Sequence, residues 1–134
     1  MTLLLEVNNN KDIFNGFSFR YSTPDGTAYI NISEFESGKI HDITFSIGKA
    51  GTNVNAWSYA LAKMVVHALH NGAELNDVVN LLSNITSARV VRHSGHNIYS
   101  GPEALFLALV KYRQSIPKVH NSWRAPKINR RYGK

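Results

Sequence analysis

A chain of 134 residues with 43% apolar side chains fits one domain with an ordinary core. The absence of cysteine excludes disulfides, thiol nucleophiles and thiolate metal sites, and no apolar run approaches the roughly 18 residues that cross a membrane. Fifteen Lys+Arg stand against nine Asp+Glu, and the imbalance is local: residues 1–88 carry five Lys/Arg and eight Asp/Glu, net −3, whereas residues 89–134 carry ten Lys/Arg and one acid, Glu103, net +9. Such asymmetry points to a polyanionic partner, meaning nucleic acid, a nucleotide or an anionic surface, or else to a solubilising basic tail. The start, Met1-Thr2-Leu3-Leu4-Leu5-Glu6-Val7, lacks a basic segment before its short apolar stretch, so no signal peptide and a cytoplasmic location are expected.

The first half reads as antiparallel β. Leu3, Leu4 and Leu5 suggest a short strand, punctuated by Asn8-Asn9-Asn10-Lys11-Asp12. Phe17, Phe19 and Tyr21 alternate with Ser18, Arg20 and Ser22, the period of a half-buried strand. Thr23-Pro24-Asp25-Gly26 predicts a turn, because proline presets φ and glycine accepts a positive one. The alternation resumes over residues 28–32, turns at Glu36-Ser37-Gly38-Lys39, and continues over residues 40–47. One sheet with a single buried face needs a cover.

The cover follows. After Gly48-Lys49-Ala50-Gly51, Thr52 or Asn53 can cap a helix over residues 54–70, with Trp57, Leu61, Met64, Val65, Ala68 and Leu69 on one stripe. Asn71-Gly72 ends it. A short helix over residues 75–82 buries Leu75, Val78, Val79 and Leu82. Residues 84–100 read as an irregular polar stretch. Pro102 suits the first turn of a third helix, whose stripe is Leu105, Leu109 and Tyr112 with Phe106 and Ala108, and Pro117 stops it. The expected fold is therefore α+β: an N-terminal antiparallel sheet covered by a long helix, a short helix and a C-terminal helix. Residues 1–117 form the domain, and residues 118–134 form a basic extension that holds Trp123, Arg124, Arg130, Arg131 and Tyr132. Cations mixed with aromatics suit single-stranded nucleic acid or a subunit interface.

Two segments could carry chemistry. The strand-to-helix junction offers Lys49, Gly51, Thr52 and Asn53 as an anion site, since free N–H groups at a helix start point at a phosphate or carboxylate. The Walker spacing is absent, and the same residues serve equally as a tight turn. The twelve residues 89–100 gather Arg89, Arg92, His93, His96, Asn97 and Tyr99. Guanidiniums pair bidentately with phosphates, tyrosine stacks on a base, and asparagine reads a base edge or a ribose hydroxyl. A solvated surface loop is the plain alternative. The pairs His67/His70 and His93/His96 have ligand spacing but no Cys or carboxylate beside them, so no metal site is expected. No nucleophile elbow and no His-x-Glu deaminase signature occur, and no enzymatic activity or cofactor is expected.

The strand Ile43-Thr44-Phe45-Ser46-Ile47, its Gly48-Lys49-Ala50-Gly51-Thr52 turn and the following helix resemble the TSCPD domain, with Thr52 in place of the family's serine. That domain is found at the C-terminus of cobalamin-dependent ribonucleotide reductases and as small stand-alone proteins. Tyr99-Ser100-Gly101-Pro102-Glu103 corresponds to the family's Thr-Ser-Cys-Pro-Asp motif, and the resemblance covers residues 27–115. Gly101 replaces the motif cysteine, and Thr86-Ser87 stands near the place of another, so the family's thiol chemistry is lost. In size and build the chain is also similar to phage anti-defence proteins of the first Thoeris type. These are sponges that hold cyclic ADP-ribose isomers or cyclic oligonucleotides without cleaving them. This resemblance implies non-catalytic nucleotide sequestration by a homodimer or larger ring. Lys49, Gly51, Thr52 and Asn53 would form one anion site, and Arg89, Arg92, His96, Asn97, Tyr99 and Arg113 a second. The alternatives are a reductase-associated module of nucleotide metabolism, a basic nucleic-acid-binding protein, and a small nucleotide hydrolase.

Overall fold

In a computed structural model, which describes residues 13–115, the chain is α+β. The expected strand at Leu3, Leu4 and Leu5, the stop at Pro117 and the basic extension with Trp123 and Tyr132 lie outside the described residues. Three strands, β1 (Ile13–Thr23), β2 (Gly26–Phe35) and β3 (Ile40–Ile47), form an antiparallel meander. Helices α1 (Asn53–His70) and α2 (Leu75–Leu82) follow, then a small hairpin, β4 (Val91–His93) with β5 (His96–Ile98), and finally α3 (Gly101–Gln114). Helix α1 packs on β3, α3 crosses β1 and β2, and α2 leans on α3.

One face of the sheet is core. Ala28, Ile30 and Ile32 on β2 and Ile43, Phe45 and Ile47 on β3 are buried, as the alternation predicts. The pattern breaks at Ile40, which simple alternation places with Asp42 and Thr44 on the outer face. A register shift, in which Ser33 pairs with Asp42 but Glu34 pairs with Ile40, turns Ile40 inward as well. The outer face is polar: Ser18 donates to Asn31 Oδ1 at 2.7 Å, and Asn31 Nδ2 donates to Thr44 Oγ1 at 3.3 Å, a row across all three strands.

The stripe of α1 is wider than the expected one: Trp57, Leu61 and Leu69 pack half-buried against the core as expected, and the most buried line runs beside them. Its buried residues are Ser58, Ala62 and Val65, whereas Met64 is 66% exposed. Small side chains let the helix approach β3 closely enough for Ile47 N–H to donate to Ser58 Oγ at 3.2 Å, while that hydroxyl donates to Asn55 O at 2.9 Å. A search for large apolar residues overlooks such a contact. Helix α3 follows expectation, with Leu105, Ala108, Leu109 and Tyr112 fully buried and Ala104 beside them. Tyr112 stands edge-on to Phe17 at 5.1 Å, and its hydroxyl donates to buried Glu34 at 2.5 Å.

Residues 84–100 are not wholly irregular. Ser94 and Gly95, both at positive φ, make the two-residue turn of a hairpin whose strands are three residues each. The hairpin is docked: Ser22 N–H donates to His93 Nδ1 at 3.2 Å, the His93 ring meets Tyr21 edge-on, and Ile98 is fully buried. The accepting role of Nδ1 puts the imidazole proton on Nε2.

Candidate ligand-binding site

Nine of the ten expected ligand-binding residues gather at one end of the sheet, around the β1–β2 turn. Gly26 in that turn adjoins the β3–α1 junction, where a side chain on Gly26 would meet Ile47 Cγ2 at 3.5 Å and Gly48 N at 3.9 Å. From the other side, Arg89 Nη2 donates to Pro24 O at 2.6 Å, close to the His93 bond to Ser22. Lys49, Gly51, Thr52 and Asn53 thus flank the turn through Gly26, and Arg89, Arg92, His96, Asn97 and Tyr99 flank it through Pro24 and Ser22.

At the junction, Gly48 (φ 73°) and Gly51 (φ 92°) occupy the left-handed region that favours glycine. Among the described residues nothing lies within 4 Å of a side chain placed on Gly51, so this glycine serves the bend and not a close packing contact. Thr52 caps α1: its hydroxyl accepts from Asn55 N–H at 3.2 Å and donates to Lys49 O at 2.7 Å. Asn55, unremarked in the sequence, ties the helix to the strand by donating from Nδ2 to Ser46 Oγ at 2.9 Å and Ile47 O at 3.3 Å. Its signal is an amide in a first helical turn, where the end of the preceding strand is within reach. Lys49, Gly51, Thr52 and Asn53 all remain exposed.

On the hairpin, Arg92 and Asn97 stand directly opposite each other in register. Arg92 Nη1 donates to Asn97 Oδ1 at 3.1 Å, which orients the amide so that Nδ2 donates to Tyr99 Oη at 3.4 Å. Guanidinium, amide and phenol therefore form an exposed ladder. Arg89 is partly committed to the Pro24 carbonyl and acts as an anchor of the loop. His96, across from His93 at the hairpin tip, is exposed. Below the ladder, Ser100 caps α3 by accepting from Glu103 N–H at 3.2 Å, and it donates to Ile85 O at 2.5 Å. Glu103 Oε1 reaches back to accept from Tyr99 N–H at 2.5 Å, a variant of the reciprocal capping box.

Arg113 is not with the others. It lies in the last turn of α3, about 20 Å along the helix from Ser100, and its Nη1 donates to Oδ1 of buried Asn76 at 3.5 Å. Within one chain, the length of the helix keeps Arg113 apart from Arg89 and Arg92.

Gly101, where the family motif has cysteine, is buried. A Cβ there would come within 2.8 Å of Asp25 Oδ2, 2.9 Å of Ile47 Cδ1 and 2.9 Å of Trp57 Cη2. The β1–β2 turn, the end of β3 and α1 close directly onto the bare backbone at the start of α3. Elsewhere, His67 Nδ1 lies 3.4 Å from Asn71 Nδ2, and His70 Nε2 donates to Ile40 O at 3.3 Å. Among the described residues, no three His, Asp or Glu side chains gather as metal ligands would. Burial pushes the Tyr21 phenol above its ordinary pKa, and no described helix is long and apolar enough to cross a membrane.

A three-stranded meander, a glycine-bent junction into a capped helix, and a capped helix that starts on Ser-Gly-Pro-Glu define a small α+β module with its exposed polar groups at the shared end. The chain belongs to the TSCPD domain family, which it matches over residues 8–113. That match takes in β1, which the resemblance over residues 27–115 omitted. No curated protein and no solved structure matches the chain.

Proposed function

We propose that this protein is a non-catalytic binder that sequesters a nucleotide signal, a cyclic ADP-ribose isomer or a cyclic oligonucleotide, as a phage anti-defence protein in the host cytoplasm. The Arg92–Asn97–Tyr99 ladder carries this reading. A guanidinium pairs with phosphate, an oriented amide reads a base edge or ribose hydroxyl, and a phenol ring stacks. Lys49 and Asn53, near the same turn, supply a second place for negative charge at the start of α1. A sponge needs slow release, which a pocket closed between subunits provides, so a homodimer or larger ring belongs to the proposal.

The family match is compatible with a second reading, a ribonucleotide-reductase-associated module in nucleotide metabolism. A basic nucleic-acid-binding role is the third, and it requires affinity that falls steeply with salt.

Thermal-shift screening against mono-, cyclic and oligonucleotides separates these readings when the ligand is then released by denaturation and chromatographed. The sponge reading expects stabilisation by a cyclic nucleotide that is recovered intact, and its loss in Arg92→Ala with the unliganded melting point kept. An altered ligand means an enzyme, and stabilisation only by long DNA or RNA means a nucleic-acid binder. Stabilisation only in the presence of a reductase would select the second reading.

A further inference from the structure

At the opposite end from the ladder, between the β2–β3 turn, the close of α1, the start of α2 and the end of α3, lies a cavity of about 520 Å³. That is within the size range of small-molecule pockets, roughly 300–1,000 Å³. Phe35, Ile40, Leu69 and the ring of Tyr112 make its walls apolar. The Tyr112 hydroxyl is turned to Glu34, so the cavity meets the ring of that residue. Gly72 and Ala73 add almost no side-chain bulk where the chain passes from α1 to α2.

Two nitrogen-bearing groups stand among these walls, and among the described residues no carboxylate lines them. Lys39 is exposed on the β2–β3 turn. His70 Nε2 donates to the Ile40 carbonyl at 3.3 Å, so its ring is held at the edge of the cavity and its other nitrogen, Nδ1, is an acceptor. The Phe35 ring is held edge-on to His41, with centroids 4.7 Å apart and planes at 88°, and so presents a fixed aromatic wall.

We infer that this cavity is a second binding site, for a planar apolar molecule that bears one carboxylate: the flat body lies against Phe35, Ile40 and Leu69, and the carboxylate pairs with Lys39. The charge is the discriminating feature. A charge-assisted hydrogen bond contributes enough that its loss weakens binding about tenfold. Within one chain the site is separated from the ladder by the length of α3, and Lys39 belongs to this site and not to the nucleotide reading, so the failure of one is distinguishable from the failure of the other.

The test is an amide chemical-shift titration of the full chain with naphthoate and with naphthylmethanol, its neutral counterpart. Naphthoate is expected to move Gly38, Lys39, His70, Gly72 and Ala73 and to leave residues 89–99 in place, and the alcohol is expected to bind about tenfold more weakly. Lys39→Gln, at an exposed position, should cost naphthoate that same factor and leave the alcohol unaffected. Ala73→Trp should block both. No shifts, shifts centred on the hairpin, equal affinity for the two probes, or an unchanged naphthoate affinity in Lys39→Gln would each overturn the inference.

Discussion

Replacing Gly101 by alanine adds one methyl group at the tightest point of the molecule. The new Cβ would lie within 2.8–2.9 Å of atoms from three separate elements: Asp25 Oδ2 in the β1–β2 turn, Ile47 Cδ1 at the end of β3, and Trp57 Cη2 on α1. Carbon atoms pack at about 3.5–4.0 Å, so Ile47 Cδ1 and Trp57 Cη2 must each retreat by more than half an ångström, and the Asp25 carboxylate must turn aside. Overpacking of this kind costs about 1–3 kcal/mol. Gly101 does not use a positive φ, so alanine brings no backbone strain there. It instead recovers part of the roughly 0.5–1 kcal/mol by which glycine disfavours a helix. The expected net loss is about 1–2 kcal/mol, a fall in Tm of roughly 3–8 °C for a domain of this size. Urea unfolding of parent and variant measures it directly. A second arm removes one of the obstructing atoms: Ile47→Val costs about 0.5–1.5 kcal/mol alone and should cost less in the Gly101→Ala background. If Gly101→Ala is as stable as the parent, or if the two changes simply add, the closure at the start of α3 is not what selects glycine.

Three further outcomes follow from local geometry. Tyr112→Phe removes the donor that buried Glu34 receives at 2.5 Å, and urea unfolding should show a loss of about 1–3 kcal/mol with no change in the slope of the transition. Ser100→Ala removes both the cap of α3 and the bond to Ile85 O; a loss of about 1–2 kcal/mol is expected, and a loss under half of that would mean the cap is replaced by water. Burial raises the Tyr21 phenol above its ordinary value of 10.0, so the unfolded chain ionises first. Stability from this group is therefore intact below about pH 10 and falls as pH climbs beyond it. In Tyr21→Phe that part of the alkaline fall in Tm should disappear.

Much of the fold was legible because period-two alternation and glycine or proline punctuation are local signals. The run Phe17, Phe19, Tyr21, the Thr23-Pro24-Asp25-Gly26 turn and the Pro102 helix start all appear where the residues place them. The misses have a common cause in packing between distant segments. Nothing local marks Ile40 as turned inward by a register shift, nor Ser58 and Ala62 as the face of α1 that touches the sheet. The hairpin at residues 91–98 did carry a cue in Ser94-Gly95, but strands of three polar-rich residues give no alternation long enough to read. At the site, residue types were readable and their roles were not. Arg89 looks identical to Arg92 in sequence, yet one is held by a turn carbonyl 65 positions away and the other belongs to the exposed ladder.

The position of Arg113 turns the proposed assembly into a test. Arg92 and Arg113 of one chain are separated by the length of α3, about 20 Å, too far to hold the two phosphates of one compact cyclic nucleotide. If both arginines serve that ligand, as the sequestration reading has it, they come from different copies. Arg92→Ala and Arg113→Ala should then each abolish binding as pure proteins. After mixing under conditions that let subunits exchange, about a quarter of the sites in a dimer should regain an intact pair. A titration with the ligand found by thermal shift would read this recovery. The Arg113 variant also loses its bond to Asn76, so its unfolding curve must be compared first; Arg113→Lys, which keeps the charge, controls for that loss. If exchange is demonstrated and no sites are regained, no ligand site is shared between copies. Arg113 would then be a structural partner of Asn76, and the ladder and the β3–α1 junction would have to form the nucleotide site within one chain.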